Sequence, residues 1–394
     1  MTRHLLKLVW NRKRSNLLIM VEILVSFLVL FPIVLLVAQG WSNYRRPLGF
    51  DVRDVWFVKM YSGQPTFAET EEETARRREL LRQLYPAAKE SPAAAQASAA
   101  LIFPFTDSTF SGLRGTNWIY ATDTFKDVMG VTMASGRWFQ EDDAQLAWRP
   151  IVINRHFARD RWGTDSPIGQ KISPPDADPE MRVIGVVDDF RVKGDFSSSE
   201  NIIFVPVNLN SGWAPELPDR LLLKVHPGTT ASAEDALLRR LRAIAPSYTF
   251  EVKPLEAIRD EYIRMTAAPI IAAALVVGFL LLMVALGLNG VIWQSITRRT
   301  AEIGLRRAQG ATVGHICVHL LGELVLMTGV SIVVGSAILV QVPVLDLLGS
   351  FPAGVYTASM LIATAGIFLL VVLSALYPSW LATRLRPVEA LHYE

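Results

Sequence analysis

Apolar positions gather into long runs near the two ends of the chain, and the stretch between them has an ordinary mixture of polar and apolar residues. A helix needs about 20 mostly apolar residues to cross a bilayer. Four runs qualify: 17–38, with Glu22 and Pro32 inside it, 269–293, 316–342, with Glu323 inside it, and 358–381. The first follows Arg12, Lys13 and Arg14, as a signal peptide would. It is longer than a usual signal core and has no clean small-x-small cleavage site after it, so it reads as an uncleaved anchor.

The mixed segment 40–266 is long enough for one or two packed domains. Residues 54–61 read as a strand. A charged helix follows over 71–84, with Glu71, Glu72 and Glu73 in its first turn and Arg76, Arg77 and Arg78 behind, an order that suits the helix dipole and sets up pairs four apart. An Ala-rich stretch, 93–100, leads to an apolar segment at 101–105. Later, 220–225 reads as a strand, 233–244 as a helix and 248–252 as a strand. Two strand–helix–strand passages predict an α+β domain of split βαβ topology. Between them lies a β-rich insert, with buried strands at 150–154 and 181–187 and turns at Asp188–Asp189 and Lys193–Gly194–Asp195. A helix over 255–264 should feed the second span. The expected fold is thus a membrane protein with four transmembrane helices and a large α+β domain between spans one and two.

The net charge of +2 says little, but the placement of the cations says more. Arg3, Lys7, Arg12, Lys13 and Arg14 precede the first span. Arg298, Arg299, Arg306 and Arg307 lie between the second and third, and Arg384 and Arg386 follow the fourth, whereas the short loop 343–357 has no Lys or Arg and carries Asp346. The positive-inside rule then puts both termini and the 294–315 loop in the cytoplasm, and 40–266 and 343–357 outside. Trp41, Tyr44 and Trp293 fall where interfacial aromatic belts lie. Leu5, Leu6, Val9 and Trp10 leave 1–16 either a short helix in the inner interface or a plain anchor. Small residues at helical spacing, Gly322, Gly329 and Ser336 in the third span and Ala274, Gly278 and Ala285 in the second, predict close packing against helices of this chain or of a second copy. Glu22 is placed to snorkel or to meet Arg12–Arg14. Glu323 lies deeper, one turn after His319, and reads as structural rather than as part of a proton relay. Cys317, the one cysteine, precludes a disulfide framework within the chain and reads as a packing residue.

Candidate chemistry is sparse. The middle segment holds His156 and His226 and shows no metal-ligand spacing and no G-x-S-x-G nucleophile motif. The chain has no G-x-x-x-x-G-K-[ST] phosphate loop, so it should not hydrolyse ATP itself. It is expected to be non-catalytic, to bind no metal or cofactor directly and to have no nucleic-acid partner. The informative stretch is 297–312, TRRTAEIGLRRAQGAT. It predicts a short cytoplasmic helix in which Glu302 pairs with Arg298 and Arg306, Gly310 caps the end and Thr312 caps the start of the third span.

That stretch, extended as AEIGLRRAQGATVGHICVHLLGELVLMTGV, resembles the signature of the FtsX-like permease domain, about 268–388 here. The ending YPSWLATRLRPVEALHYE is similar to the same family's ending through Pro378, Ala382, Pro387, Glu389, Ala390, Leu391, Tyr393 and Glu394. GVTMASGRWFQEDD, IVINRHFARDRWGTDSPIGQKI and RVIGVVDDF resemble the core domain of MacB-type permeases, which implies a porter-like outer domain. The resemblance implies a permease that works in pairs, homo- or heterodimeric, on a cytoplasmic ATPase dimer of the MacB or LolD type, which uses ATP and Mg. It implies that Arg298, Arg299, Glu302, Ile303, Gly304, Arg306, Arg307 and Gly310 form the ATPase-coupling helix, and that motion passes along the spans to the outer domains to drive export or extraction of a substrate. A periplasmic adaptor and outer-membrane channel are further partners of such systems. MacB itself carries an N-terminal ATPase and this chain starts at a span, so the ATPase is expected in trans. Ala301 stands where Arg is usual and Gln309 where an apolar residue is usual, which points to an unequal pair. The alternative is an FtsX-like regulator that activates a cell-wall hydrolase without moving cargo; the size of 40–266 favours transport.

Overall fold

The computed structural model describes residues 13–61, 71–102, 104–105, 115–172, 180–209, 217–297, 312–341 and 351–382. They fall into two compact units, Met1–Ser42 with Ala267–Glu394, and Asn43–Thr266. The expected interfacial segment 1–12, the coupling helix with Arg298, Arg299, Glu302, Ile303, Gly304, Arg306, Arg307 and Gly310, residues 343–350 of the short outer loop, and the tail with Pro387 and Glu389 lie outside the described residues.

Among the described residues, four helices are long and apolar enough to cross a membrane. They belong to α1 (Lys13–Tyr44), α6 (Leu255–Thr297), α7 (Val313–Leu339) and α8 (Ala353–Ala382). Ile19, Ile23, Phe27, Phe31 and Leu35 recur every fourth residue of α1 and are buried against Leu324, Met327 and Ile332 of α7 and Ala363, Ile367, Val371 and Ala375 of α8. Rows four apart on two helices interlock as ridges in grooves. In lipid such contact holds through close packing and hydrogen bonds rather than by excluding water. Ser331 Oγ donates to the Met20 carbonyl at 3.0 Å. Tyr356 OH donates to Leu339 O at 2.6 Å, satisfying a carbonyl left over at the end of α7, and its ring meets Phe31 edge-on. Thr312 caps α7 by accepting from the His315 amide. The apolar part of α6 is the least enclosed, with Ile271, Leu275, Phe279, Leu282 and Leu286 all exposed.

The small residues of the spans differ in what surrounds them. Among the described residues, a Cβ on Gly278, Gly322 or Gly329 would meet nothing within 4 Å, which leaves those faces open to other helices. The close approaches fall at Gly335, where a Cβ would lie 2.6 Å from Phe27 Cδ1, and at Gly287, where it would lie 2.3 Å from Glu22 Oε1. Glu22 therefore faces α6 rather than serving only as an interfacial anchor. Ser336 does pack, its Oγ 3.7 Å from Met360 Sδ, and Glu323 is buried at 4% exposure.

The outer unit is built on one nine-stranded sheet ordered β4-β6-β5-β7-β3-β2-β8-β1-β9. The strands are β1 (Val55–Tyr61), β2 (Ala94–Leu101), β3 (Thr116–Ala121), β4 (Met133–Gly136), β5 (Arg149–Asn154), β6 (Met181–Val187), β7 (Asn201–Pro206), β8 (Arg220–Val225) and β9 (Thr249–Pro254). Strands β1, β2, β8 and β9 with α2 (Glu71–Lys89) and α5 (Ala231–Ile244) form the split βαβ half, β8 lying between β2 and β1. Alternate residues of β1 go to opposite faces, Val55 and Phe57 to one core, Trp56 and Val58 to the other. The Ala-rich stretch is itself strand β2 rather than a lead-in. Alanine is a poor strand former, but Ala97 and Ala99 are buried with Leu84 and Ala88 of α2, and small side chains let that helix lie close.

The insert is not a separate layer. Its strands β3–β7 extend the same sheet, with α3 (Phe125–Val128) and α4 (Arg155–Trp162) on its faces. Among the described residues, β2 and β3 share two pairs, Ala100 with Ala121 and Leu101 with Tyr120, where β3 and β7 share six. Thr122 reinforces this join, its hydroxyl taking the Ala99 amide and its amide donating to the Ala99 carbonyl.

Candidate functional site

The helix α1 ends at Tyr44, and α6 runs unbroken from Leu255. Within the outer unit, the end of the one and the start of the other are held by a single loop after β6, residues 190–200. The loop turns at Gly194, whose φ of +98° favours glycine, and a Cβ there would strike Phe105 and Tyr262 at 2.8 Å.

Arg191 is the centre of the arrangement and is 2% exposed. Its Nε donates to Pro47 O at 3.1 Å, its Nη2 to Arg46 O at 2.5 Å, and its Nη1 to Asn43 O, Asp195 O and Ser197 O at 2.8, 3.1 and 3.2 Å. Three of those carbonyls belong to the chain at and just after the end of α1. A planar guanidinium can satisfy several fixed acceptors at once, and an ammonium cannot match that fork. The Arg191 amide donates to Leu48 O, Asn43 Nδ2 returns a bond to Phe196 O at 2.9 Å, and the rings of Tyr44 and Phe196 stack 5.8 Å apart. Burial pulls the Arg191 guanidinium below its ordinary pKa; the Asp195 charge opposes this, and Arg46 and Arg259 add to it.

Asp195 makes the connection to α6. Its carboxylate accepts from Arg259 Nη2 at 2.7 Å and Nε at 2.9 Å. That pair holds Arg259 above its usual range, through the hydrogen bond first, against partial burial. Phe105, Phe50 and Phe190 with Tyr262 pack beside it as an aromatic cluster. Gly49 brings its backbone so close that a Cβ would sit 1.9 Å from Asp189 O.

This node was missed in the sequence, where 193–195 reads only as a turn. The signal present is an Arg and an Asp four apart around a glycine, too common to single out. The arrangement supplies no nucleophile or general acid–base pair. What it offers is stiffness between two helix ends. Among the described residues no group of three or more His, Cys, Asp and Glu could hold a metal ion.

Apolar helices long enough to cross a membrane, with a sheet domain inserted in the chain between the first and second of them, define a membrane protein with one large domain apart from its spans. Two family models match the chain: the MacB-like periplasmic core domain over residues 17–241 and the FtsX-like permease C-terminal over 274–387. The chain belongs to this MacB/FtsX-type family of ABC transporter permeases and is a multi-pass inner-membrane component of that class. Among its relatives, the uncharacterized ABC transporter permease YknZ of Bacillus subtilis is 27% identical over 306 residues, covering 73% of this chain and 71% of that protein. The macrolide export ATP-binding/permease protein MacB of Bdellovibrio bacteriovorus is 28% identical over 292 residues, covering 68% of this chain and 43% of that protein. The crystal structure of the periplasmic region of MacB from Actinobacillus actinomycetemcomitans aligns over 56% of this chain and 97% of that one, at 14% identity and a TM-score of 0.38.

Proposed function

We propose that the chain is the permease subunit through which a separate cytoplasmic ATPase moves an outer domain to export or extract a substrate. Both termini and the 294–315 loop face the cytoplasm, and that loop, with Glu302 and Gly310, takes the push from the ATPase. Two permease chains, identical or related, stand over one ATPase dimer that uses ATP and Mg, and an adaptor and outer-membrane channel carry the substrate onward. The observation that carries this reading is the Arg191–Asp195–Arg259 node. It binds the end of α1 and the start of α6 to one loop of the outer domain, so a displacement of either helix is handed to the sheet instead of being lost in slack. Packed cores and interfaces carry such shifts because they do not deform continuously.

The test is gentle purification of the tagged full chain from its host and identification of what accompanies it. Recovery of an ATPase and a second permease supports the reading. A cell-wall hydrolase in place of an adaptor favours the regulatory alternative. Recovery of the chain with no ATPase, under conditions that keep a known ABC complex whole, sinks it.

A further inference from the structure

The nine-stranded sheet ends in two edges, β4 and β9. β4 slips its register against β6 between Met133 and Ser135, and such an irregularity blunts an edge. β9 pairs with β1 over all of Thr249–Pro254 without a shift, and among the described residues no other segment hydrogen-bonds its far side.

The free groups of that far side can be assigned. The Met60 amide donates to Asp219 O at 3.3 Å and the Val225 amide to Asp54 O at 2.8 Å, so Asp54, Trp56, Val58 and Met60 aim their backbone groups toward β8. Such groups alternate along an antiparallel ladder. Phe57, Lys59 and Tyr61 therefore bond with Lys253, Glu251 and Thr249. The amides of Phe250 and Val252 and the carbonyls of Phe250, Val252 and Pro254 are left along the outer edge. A proline, which has no amide to donate, sits in a sheet at such a place.

This edge is complementary to itself. An antiparallel copy centred on Val252 sets Val252 against the partner's Val252, exchanging both bonds, and brings each Phe250 amide to the partner's Pro254 carbonyl. The same register puts Glu251 opposite the partner's Lys253, and Lys253 opposite the partner's Glu251, at the closely spaced positions of the ladder. The neighbouring registers set Glu251 against Glu251 or Lys253 against Lys253, so charge selects the centred one. Within one chain the two side chains already meet at 3.0 Å, and Tyr61 OH donates to Glu251 at 2.9 Å. Joining two copies turns those pairs into a ring of alternating charges.

The faces of the sheet agree with such a pair. Leu48 and Phe50, which follow α1, and Leu255, Ile258 and Tyr262 of α6 pack into the core on one face. Leu84 and Ala88 of α2 and Leu237 and Leu241 of α5 pack into the core on the other. The two-fold axis between antiparallel strands stands perpendicular to the sheet, so it carries each face onto the same face of the copy. Both copies then present the ends of α1 and α6 on one side, as two chains in one bilayer must.

We propose that two copies of this chain join their outer domains edge to edge through β9, making one continuous sheet across the pair. Six residues of strand are a small contact, so it aligns two copies already standing side by side more than it draws them together. The contact rests on the two-chain part of the function proposed above, with identical chains, and needs nothing of ATP-driven movement.

The test is disulfide capture of the full chain in its native membrane, with Cys317→Ser removing the native thiol. Residues facing each other in a hydrogen-bonded antiparallel pair have Cα atoms about 5.5 Å apart, within the reach of a disulfide. Mild oxidation of the Val252→Cys chain should therefore give a covalent dimer of this chain. Adding Glu251→Lys or Lys253→Glu sets like charges opposite each other and should slow capture at least about threefold. Adding both exchanges the charges and should restore it. Glu141→Cys, exposed on the insert, gives the level of chance collision. Capture no greater than that level, capture of a different protein in place of a second copy, or capture indifferent to the single charge reversals overturns the proposal. If Val252→Cys folds poorly, Glu251→Cys with a short bis-maleimide reads the same edge by the same criteria. Lost capture with an ATPase still co-purifying removes this contact alone, and self-capture by a chain that recovers no ATPase removes the transport reading alone.

Discussion

Asp195 and Arg259 meet through two parallel bonds, 2.7 and 2.9 Å long, with the carboxylate only 2% exposed and the guanidinium 31% exposed. Removing one partner of such a pair leaves the other charge half-buried without its counterpart. Asp195→Asn should cost about 2–3 kcal/mol, less than a fully buried pair because Arg259 reaches water. Arg191→Lys should cost about 3 kcal/mol or more, since one ammonium cannot reach the carbonyls now shared by a planar fork. Thermal unfolding of the full chain in detergent reads both. A melting point unchanged by either substitution would remove the node as a structural anchor.

Gly335 and Gly278 should behave oppositely on substitution by alanine. At Gly335 the new methyl meets Phe27, whose side chain is fully buried and cannot give way, so the loss should be about 1–3 kcal/mol. At Gly278 it meets nothing among the described residues, and the protomer should be unaffected. A drop in dimer recovery with Gly278→Ala, the protomer remaining folded, would place a second copy against that face.

Acid should loosen the segment around Asp143. Burial pushes the Asp143 carboxyl up, but the two-pronged bond from Arg137, the Gln140 amide and the Arg137 charge more than offset it and hold the group below its ordinary value. A carboxylate whose folded pKa is depressed adds stability above its unfolded value, and that stability is lost as pH falls through the folded one. Amide protection over residues 137–146, corrected for the intrinsic exchange rate, should therefore fall between about pH 6 and about pH 3. Asp143→Asn should show the weakened protection at both ends of that range.

Replacing Glu302 and Gly310 together should leave insertion into the membrane intact while separating ATP hydrolysis by the partner from movement of substrate. The assay is ATPase rate against transport in vesicles holding the reconstituted complex. Unchanged coupling in the double variant would remove the proposed lever.

The spans and the outer domain could be read from the sequence because each is written in local pattern. A run of about 20 apolar residues has few soluble explanations. The acidic-then-basic order of 71–84 gives its helix away, and β6 shows as a short apolar run. Strand β2 was hidden because its alanines carry no strand preference; the packing of α2 supplies it. The Arg191 node was hidden for a related reason. Its meaning lies in acceptors far along the chain, at Asn43, Arg46 and Pro47, and in Arg259, none of which is marked by spacing. A cavity of about 890 Å³ between α2 and the insert shares this property, since Tyr85, Phe139 and Arg149 come from segments that only the sheet brings together.

The two-pair join between β2 and β3 gives that cavity a particular character. Lys89 and Tyr85 belong to α2 on one half, Trp148 and Arg149 to the insert, and among the described residues the halves meet through the two-pair join of β2 with β3. The apolar clusters run across that seam on both faces, joining Ala100 and Leu222 to Val152 and Phe204 on one and Leu81 and Leu101 to Ile151 and Ile203 on the other. The spacing of the two walls is then held by side chains packed across the seam more than by the backbone bonds of the sheet itself.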